Sequence, residues 1–222
     1  MSKYKDTYRH RGMRRQLIKK LRRKGIDNEK LLEVMGALPR HYFFDTGFDD
    51  WAYKDVAFPI GEEQTISQPY TVAYQTNLLE ITEGDKILEV GMGSGYQAAI
   101  LHDMGAAVYT IERHESLYLR TTRLLKELDY DHIHTFLGDG FQGLPHLAPF
   151  DKILITAAPD KMPVELQNQL SVGGFMVFPL GGQHESQQMI RLTKTDGDPV
   201  IERFDYFRFV PMVRGVNKAE SE

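Results

Sequence analysis

Three glycines alternate in Ile87-Leu88-Glu89-Val90-Gly91-Met92-Gly93-Ser94-Gly95-Tyr96-Gln97, between an apolar run and a stretch of helical spacing. Glycine at such a turn lets a ligand approach bare backbone. A dinucleotide fingerprint asks for glycine where Tyr96 stands, and a phosphate loop asks for Gly-Lys-Ser/Thr, which is absent. Both phosphate readings therefore weaken. Glu112 ends the next apolar run, 21 residues after Gly91, where a carboxylate can accept hydrogen bonds from both hydroxyls of a ribose. After a third run, Gly138-Asp139-Gly140 offers a side-chain acceptor and flexible backbone to an adenine edge. Ligands of open α/β sheets bind at the carboxyl edge of the strands, so three polar groups closing three runs on that edge favour an adenosyl ligand.

Those turns need elements to hold them. Short apolar runs at 87–90, 107–111, 133–137 and 152–156 alternate with helical stretches at 97–104 and 116–128. The rhythm predicts a doubly wound, mainly parallel α/β sheet with helices on both faces. A helix over 164–170 leads to a run at 175–179. Runs at 187–193 and 200–210, joined through Asp196-Gly197-Asp198, predict an antiparallel C-terminal hairpin and bring the sheet to seven strands. Upstream, Met13, Leu17, Ile18 and Leu21 stand at helical spacing among Arg14, Arg15, Lys19, Lys20, Arg22 and Arg23, and Gly25 closes that helix. Asp27 or Asn28 can cap a second helix with Leu31, Leu32, Val34, Met35 and Leu38 on its apolar face, stopped by Pro39. Residues 40–64 are aromatic and Gly/Pro-punctuated, which predicts an ordered loop. Ser67 is placed to N-cap a helix over 69–81 with Pro69 in its first turn. The expectation is a single domain over 1–222, with N-terminal helices and aromatic loop in 1–64, the core in 65–214, and a tail in 215–222 that frays from Asn217.

Composition narrows the chemistry. A chain of 222 residues with 41% hydrophobic residues can bury one sizeable core. It has no cysteine, which removes disulfides, thiolate metal sites and cysteine nucleophiles at once. No run approaches a membrane span and the N-terminus is charged where a signal peptide would be apolar, so a soluble, cytoplasmic protein is expected. The net charge of −4 hides a division: residues 1–25 hold 11 Lys+Arg against one acid, Asp6. A solvated amphipathic helix is the preferred reading of that arm, ahead of a nucleic-acid or membrane contact. A minority reading is that it draws in acidic chains.

A second motif sharpens the first. The segment Thr65-Ile66-Ser67-Gln68-Pro69-Tyr70, followed by Val72-Ala73, precedes the glycine loop, and Pro39-Arg40, Phe58-Pro59-Ile60-Gly61, Phe150-Asp151, Thr156-Ala157-Ala158, Gly173-Gly174, Pro179-Leu180-Gly181 and Phe209-Val210-Pro211 accompany it. The glycine loop resembles the first motif of class I S-adenosylmethionine-dependent methyltransferases. The Ser67 segment and its companions resemble the protein-L-isoaspartate O-methyltransferases, over about residues 31–214. Gln75, Met92 and Pro159 depart from that family's usual residues without removing a polar contact.

The resemblance implies a Rossmann-like methyltransferase fold and S-adenosyl-L-methionine as methyl donor, with no metal. It implies Ser67 as the active-site serine that also meets the substrate, with Thr65, Ile66 and Tyr70 lining donor and acceptor sites. Glu89, Gly91 and Gly93 then correspond to methionine-end contacts, Glu112 to the ribose acceptor, and Asp139 with Gly140 to the adenine contacts. Val210 corresponds to the backbone that holds the peptide, in a groove along a strand at 209–213. The implied acceptor is the α-carboxylate of L-isoaspartyl residues in damaged proteins, whose methyl ester returns through a succinimide to aspartate. Such a carboxylate is already ionised at neutral pH, so no general base is required. Rival readings are a nucleoside-binding protein without turnover and a methyltransferase acting on another carboxylate or a small molecule. Base N-methylation is disfavoured because Thr156-Ala157-Ala158-Pro159 stands where an Asn/Asp-Pro-Pro-aromatic segment would lie. His132 and His134 could share a strand face, yet no carboxylate joins them at ligand spacing. A monomer without nucleic-acid or membrane partners is expected.

Overall fold

The computed structural model describes residues 4–183 and 185–218. Helix α1 (Tyr8–Arg23) starts at Thr7, whose hydroxyl accepts the His10 N–H while His10 Nδ1 accepts the Thr7 N–H, and Gly25, at φ +93, follows its end. Leu17 and Leu21 are buried as the spacing predicts. Arg14 is buried with them, donating to the Gly36 carbonyl, the Asp6 carboxylate and the Tyr53 hydroxyl. The basic helix is therefore only partly solvated, because one of its cations is a packing element. Helix α2 (Glu29–Ala37) takes Asn28 as its cap, the side chain accepting the Leu31 N–H at 3.1 Å.

Residues 40–64, expected as a loop, hold more order. A 3-10 turn at Arg40–Phe43 and a short helix α3 (Asp49–Ala52) lead into an antiparallel pair, β1 (Phe58–Gly61) and β2 (Gln64–Ile66). Phe44, Phe48 and Trp51 gather on Phe58 with ring centroids 5.0–5.6 Å away, which fixes the pair to the body. Its turn, Glu62-Glu63, has both residues at positive φ, 52° and 55°. Hairpins signal that conformation with Asn-Gly, and two glutamates conceal it.

Helix α4 (Pro69–Leu78) is shorter than the 69–81 expected and is not capped by Ser67. Gln68 occupies the cap position without a side-chain bond. Asp55 supplies the acceptor from a distance, taking the Tyr70 N–H at 2.9 Å. Then follow β3 (Lys86–Val90), α5 (Tyr96–Asp103), β4 (Ala107–Glu112), α6 (Glu115–Glu127), β5 (His134–Leu137), β6 (Phe150–Ile155), α7 (Val164–Gln167), β7 (Leu170–Leu180), β8 (Gln187–Thr193) and β9 (Val200–Phe207).

The strands form a seven-stranded sheet in the order β5-β4-β3-β6-β7-β8-β9. Pairings are parallel from β5 to β7 and antiparallel for β7–β8 and β8–β9. The two faces are unequal. One carries α1, α2, α4, α5 and α6 through residues such as Leu21, Leu31, Val72, Leu101 and Leu125; the other is closed by Leu144 and by Leu166 of α7. The last strand stops at Phe207 rather than at 210, because the Phe209 N–H leaves the ladder for Gln187 Oε1 at 2.9 Å and Pro211 has no N–H to offer. Among the described residues, no helix is long and apolar enough to cross a membrane.

Candidate functional site

The order of strands reverses at β3, since the chain runs outward through β4 and β5 and then returns to β6 on the other side. Such a switch point leaves a crevice at the carboxyl ends of the strands. A cavity of about 420 Å3 fills it. Its floor is the glycine loop, where Gly91 (φ +99) brings the backbone against Thr156, so that a Cβ there would stand 2.4 Å from Thr156 Oγ1. Thr156 in turn donates to the carbonyls of Val90 and Gly91 at 3.0 and 2.8 Å and ties β6 to the loop. Glu112, almost fully buried, accepts the N–H groups of Gly93, Arg113 and His114 at 2.8–2.9 Å. Both carboxylate oxygens thus hold the backbone on which the floor rests.

The roof is the segment after β9. Ala158 donates to the Val210 carbonyl and accepts the Met212 N–H, each at 2.8 Å. Asp139 takes the Gly215 N–H at 2.9 Å, and Asn217 exchanges backbone bonds with Arg113 and Glu115. Residues 210–217 therefore strap the cavity from β6 across to β4. Asn217, expected in a frayed tail, is anchored; of that tail, residues 219–222 lie outside the described residues.

A second opening of about 470 Å3 adjoins the first and is walled by Tyr70, Tyr206, Phe207 and Phe209. The two share Thr65, Ser67, Thr156 and Val210. Ser67 stands at this shared rim directly after β2, half-buried, and its hydroxyl makes no hydrogen bond among the described residues. The distant cap from Asp55 leaves that hydroxyl free. Its backbone is held from behind: the carbonyl accepts from Arg40 Nη2 at 2.7 Å. Arg40 is 1% exposed and lies over the Tyr96 ring at 4.5 Å, with Nε and Nη1 lacking hydrogen-bond partners. Burial draws its pKa down, against the pull of Tyr96.

Of the residues singled out by sequence, Thr65, Ile66, Ser67, Gly91, Gly93, Glu112, Gly140 and Val210 line the cavity. Tyr70 lines only the second opening. Glu89 and Asp139 line neither. The Glu89 carboxyl is wholly buried beneath the floor, bonded to the Thr110 hydroxyl through Oε2, with Oε1 unpartnered; burial pushes its pKa up to about 8. Asp139 spends Oδ1 on the Phe141 N–H and Oδ2 on the strap. Sequence reasoning did not single out Thr156 or Arg40 as site residues, although both fall within quoted motifs. Gln75 donates to the Ile155 carbonyl at 3.0 Å, so this departure secures the end of β6.

Metal ligation has one candidate cluster among the described residues, and it is not His132 with His134, which are both exposed. Asp6, His10 and His41 converge away from the cavity. Arg14 and Arg11 occupy the Asp6 carboxylate and His41 Nδ1 meets the Tyr53 hydroxyl at 2.6 Å, so the group is a hydrogen-bond network built round a cation already present.

Comparison with known proteins adds three findings. The family described as protein-L-isoaspartate(D-aspartate) O-methyltransferase matches residues 12–217. Proteins named protein-L-isoaspartate O-methyltransferase from Christiangramia forsetii and Cytophaga hutchinsonii are 49% and 50% identical to it, covering 96% and 94% of this chain and 100% and 94% of theirs. A solved structure bearing that name superposes with a TM-score of 0.81 at 25% identity, over 89% of this chain and 65% of the other. Another, from Plasmodium falciparum and in complex with S-adenosyl-L-homocysteine, shares the fold at a TM-score of 0.78 and 23% identity, over 90% of this chain and 98% of that one. The family match begins at residue 12, so α1 lies inside it from Gly12 onward rather than ahead of it. A basic helix carries apolar spacing but no motif, which is why the motifs alone marked the match from about residue 31.

Proposed function

The chain belongs to the protein-L-isoaspartate(D-aspartate) O-methyltransferase family, and from that premise we propose that it transfers the methyl group of S-adenosyl-L-methionine to the α-carboxylate of L-isoaspartyl residues in damaged proteins and peptides. The donor supplies an electrophilic methyl on a sulfonium. A cavity whose floor admits no Cβ at Gly91 and whose wall presents Glu112 suits a nucleoside with an amino-acid arm. Gly91 and Gly93 present backbone to the methionine end, Glu112 faces the ribose, and Gly140 faces the adenine. Glu89 and Asp139 act from behind, one beneath the glycine loop and the other through the strap.

The unengaged Ser67 hydroxyl at the rim between the two openings carries this reading. The shared rim, Thr65, Ser67, Thr156 and Val210, has no titratable side chain, which suits an acceptor that arrives ionised. The work left to the protein is alignment and the exclusion of water. Ser67 donates to one carboxylate oxygen and turns the other toward the methyl carbon; that oxygen–carbon bond forms as the carbon–sulfur bond breaks. Tyr70 and the backbone around Val210 hold the peptide beside it. Arg40 fixes the Ser67 carbonyl and so the direction of its hydroxyl. The reading includes a single catalytic unit acting as a cytoplasmic monomer, without nucleic-acid or membrane partners.

Ser67→Ala tests it, with tritium transfer from labelled donor to an isoaspartyl peptide and the matching aspartyl peptide as control. The kcat/KM for the isoaspartyl peptide should fall by roughly tenfold, the worth of one hydrogen bond to a charged group, while donor affinity holds. Unchanged kcat and KM would overturn the role of Ser67, and equal transfer to both peptides would overturn the substrate.

A further inference from the structure

Charge in the acceptor opening is concentrated in one side chain. Its lining is aromatic, hydroxylic or aliphatic except for the amide of Gln68 and the guanidinium of Arg208. Arg208 is exposed, and among the described residues it makes no hydrogen bond, ion pair or ring contact. Of its charged neighbours, Asp205 on β9 stands by Tyr74, where burial, with the Asp205 charge added, raises the pKa of both Tyr70 and Tyr74, and two others are engaged elsewhere. Lys24 reaches the same wall, 4.6 Å from the centre of the Tyr70 ring, but Asp55 holds its ammonium at 2.6 Å. Burial pushes the Asp55 carboxyl up, and the bonds from Lys24 and the Tyr70 N–H outweigh it, leaving the pKa below the ordinary value. Glu202 on β9 is bound by Arg191. Among the described residues nothing uses the Arg208 charge, which is left to whatever fills the opening.

Position decides which part of the substrate it meets. Val210 belongs to both openings, whereas Arg208, two residues earlier, belongs only to the outer one. The reacting carboxylate sits at the shared rim, so Arg208 faces peptide beyond it. A guanidinium presents a planar fork of donors that matches a carboxylate in two parallel bonds. Resting on the acceptor reading given above, we propose that Arg208 is a specificity-determining residue that selects isoaspartyl peptides carrying an acidic side chain immediately beside the lesion.

The test uses the full chain and three isoaspartyl peptides identical except for Glu, Gln or Lys at the flanking position. An exposed ion pair of this kind corresponds to a preference of about two- to fivefold. The wild-type chain should show kcat/KM in the order Glu, Gln, Lys, with the difference lying in KM. Arg208→Gln should level the series and Arg208→Glu should invert it. No preference in the wild type, or a preference that survives both variants, would overturn the proposal. A uniform loss on all three peptides in both variants would also overturn it, since that is the signature of a grip on the reacting carboxylate. Should Arg208→Glu be inactive throughout, the Arg208→Gln series decides alone by the same criteria. Absence of transfer to every isoaspartyl peptide by the wild-type chain would overturn the acceptor reading itself.

Discussion

The donor cavity and the acceptor opening lie side by side, yet they are built differently. The first is made of main chain at the ends of adjacent parallel strands, locked by Thr156 and by three N–H groups on Glu112. The second is gathered from segments far apart in sequence: the stretch from β2 into the first turn of α4, and the chain from the end of β9 onward. A ligand that never varies can be met by backbone. A peptide that differs from one damaged protein to the next is met by side chains, each with its own separate support.

Substitutions can set the two apart. Gly91→Ala should do most harm: its Cβ would fall 2.4 Å from Thr156 Oγ1 at a φ of +99, and the strain is of order 1–3 kcal/mol. Donor binding should be lost, read by calorimetry, along with all activity. Glu112→Ala comes next. Removing a charged acceptor of backbone bonds costs about 1.5–3 kcal/mol for a single bond, so donor affinity should fall at least tenfold while kcat at saturating donor falls less. Asp55→Ala should act on the other side. It removes the distant cap of α4, of the order of 1 kcal/mol, and frees Lys24, so the KM for peptide should rise severalfold with donor affinity unchanged. Equal damage to both affinities would show that the two openings are one mechanical unit.

Glu89 gives the smallest and most selective effect. The ordinary carboxyl value is 4.5 and burial carries Glu89 to about 8. Between those values the folded protein holds a proton that the unfolded chain has released, so this group's stabilisation is complete below the lower value and is lost as pH rises through the upper one. Glu89→Gln should remove that dependence: its Tm should match wild type near pH 5 and exceed it by a few degrees near pH 9. Parallel Tm curves for the two chains would mean that the carboxyl is ionised in the fold.

The same contrast explains what could be read from residues alone. The sheet and the donor cavity are written locally: an apolar run, a glycine turn, then Glu112 or Gly140 at the next strand end. The acceptor side depends on relations between distant positions. Nothing in Glu62-Glu63 announces a hairpin, and nothing near Asp55 says that it caps α4, a task the sequence offered to Ser67. Arg14 looked solvated because its burial depends on Asp6, Gly36 and Tyr53, which only the folded chain brings to it. The strap was legible as far as Phe209-Val210-Pro211, but its hold through Asp139 and Asn217 consists mostly of backbone bonds that no residue type advertises.

That strap also places the site in time. The cavity draws on residues from Glu62 to Val213, so during synthesis the parallel strands emerge and can pair before its roof exists. A nascent chain halted near residue 205 would carry the glycine loop, the Glu112 anchor and Ser67, yet enclose nothing. Competence to hold the donor is therefore acquired only once residues 210–217 have emerged, after the framework that supports it is already in place.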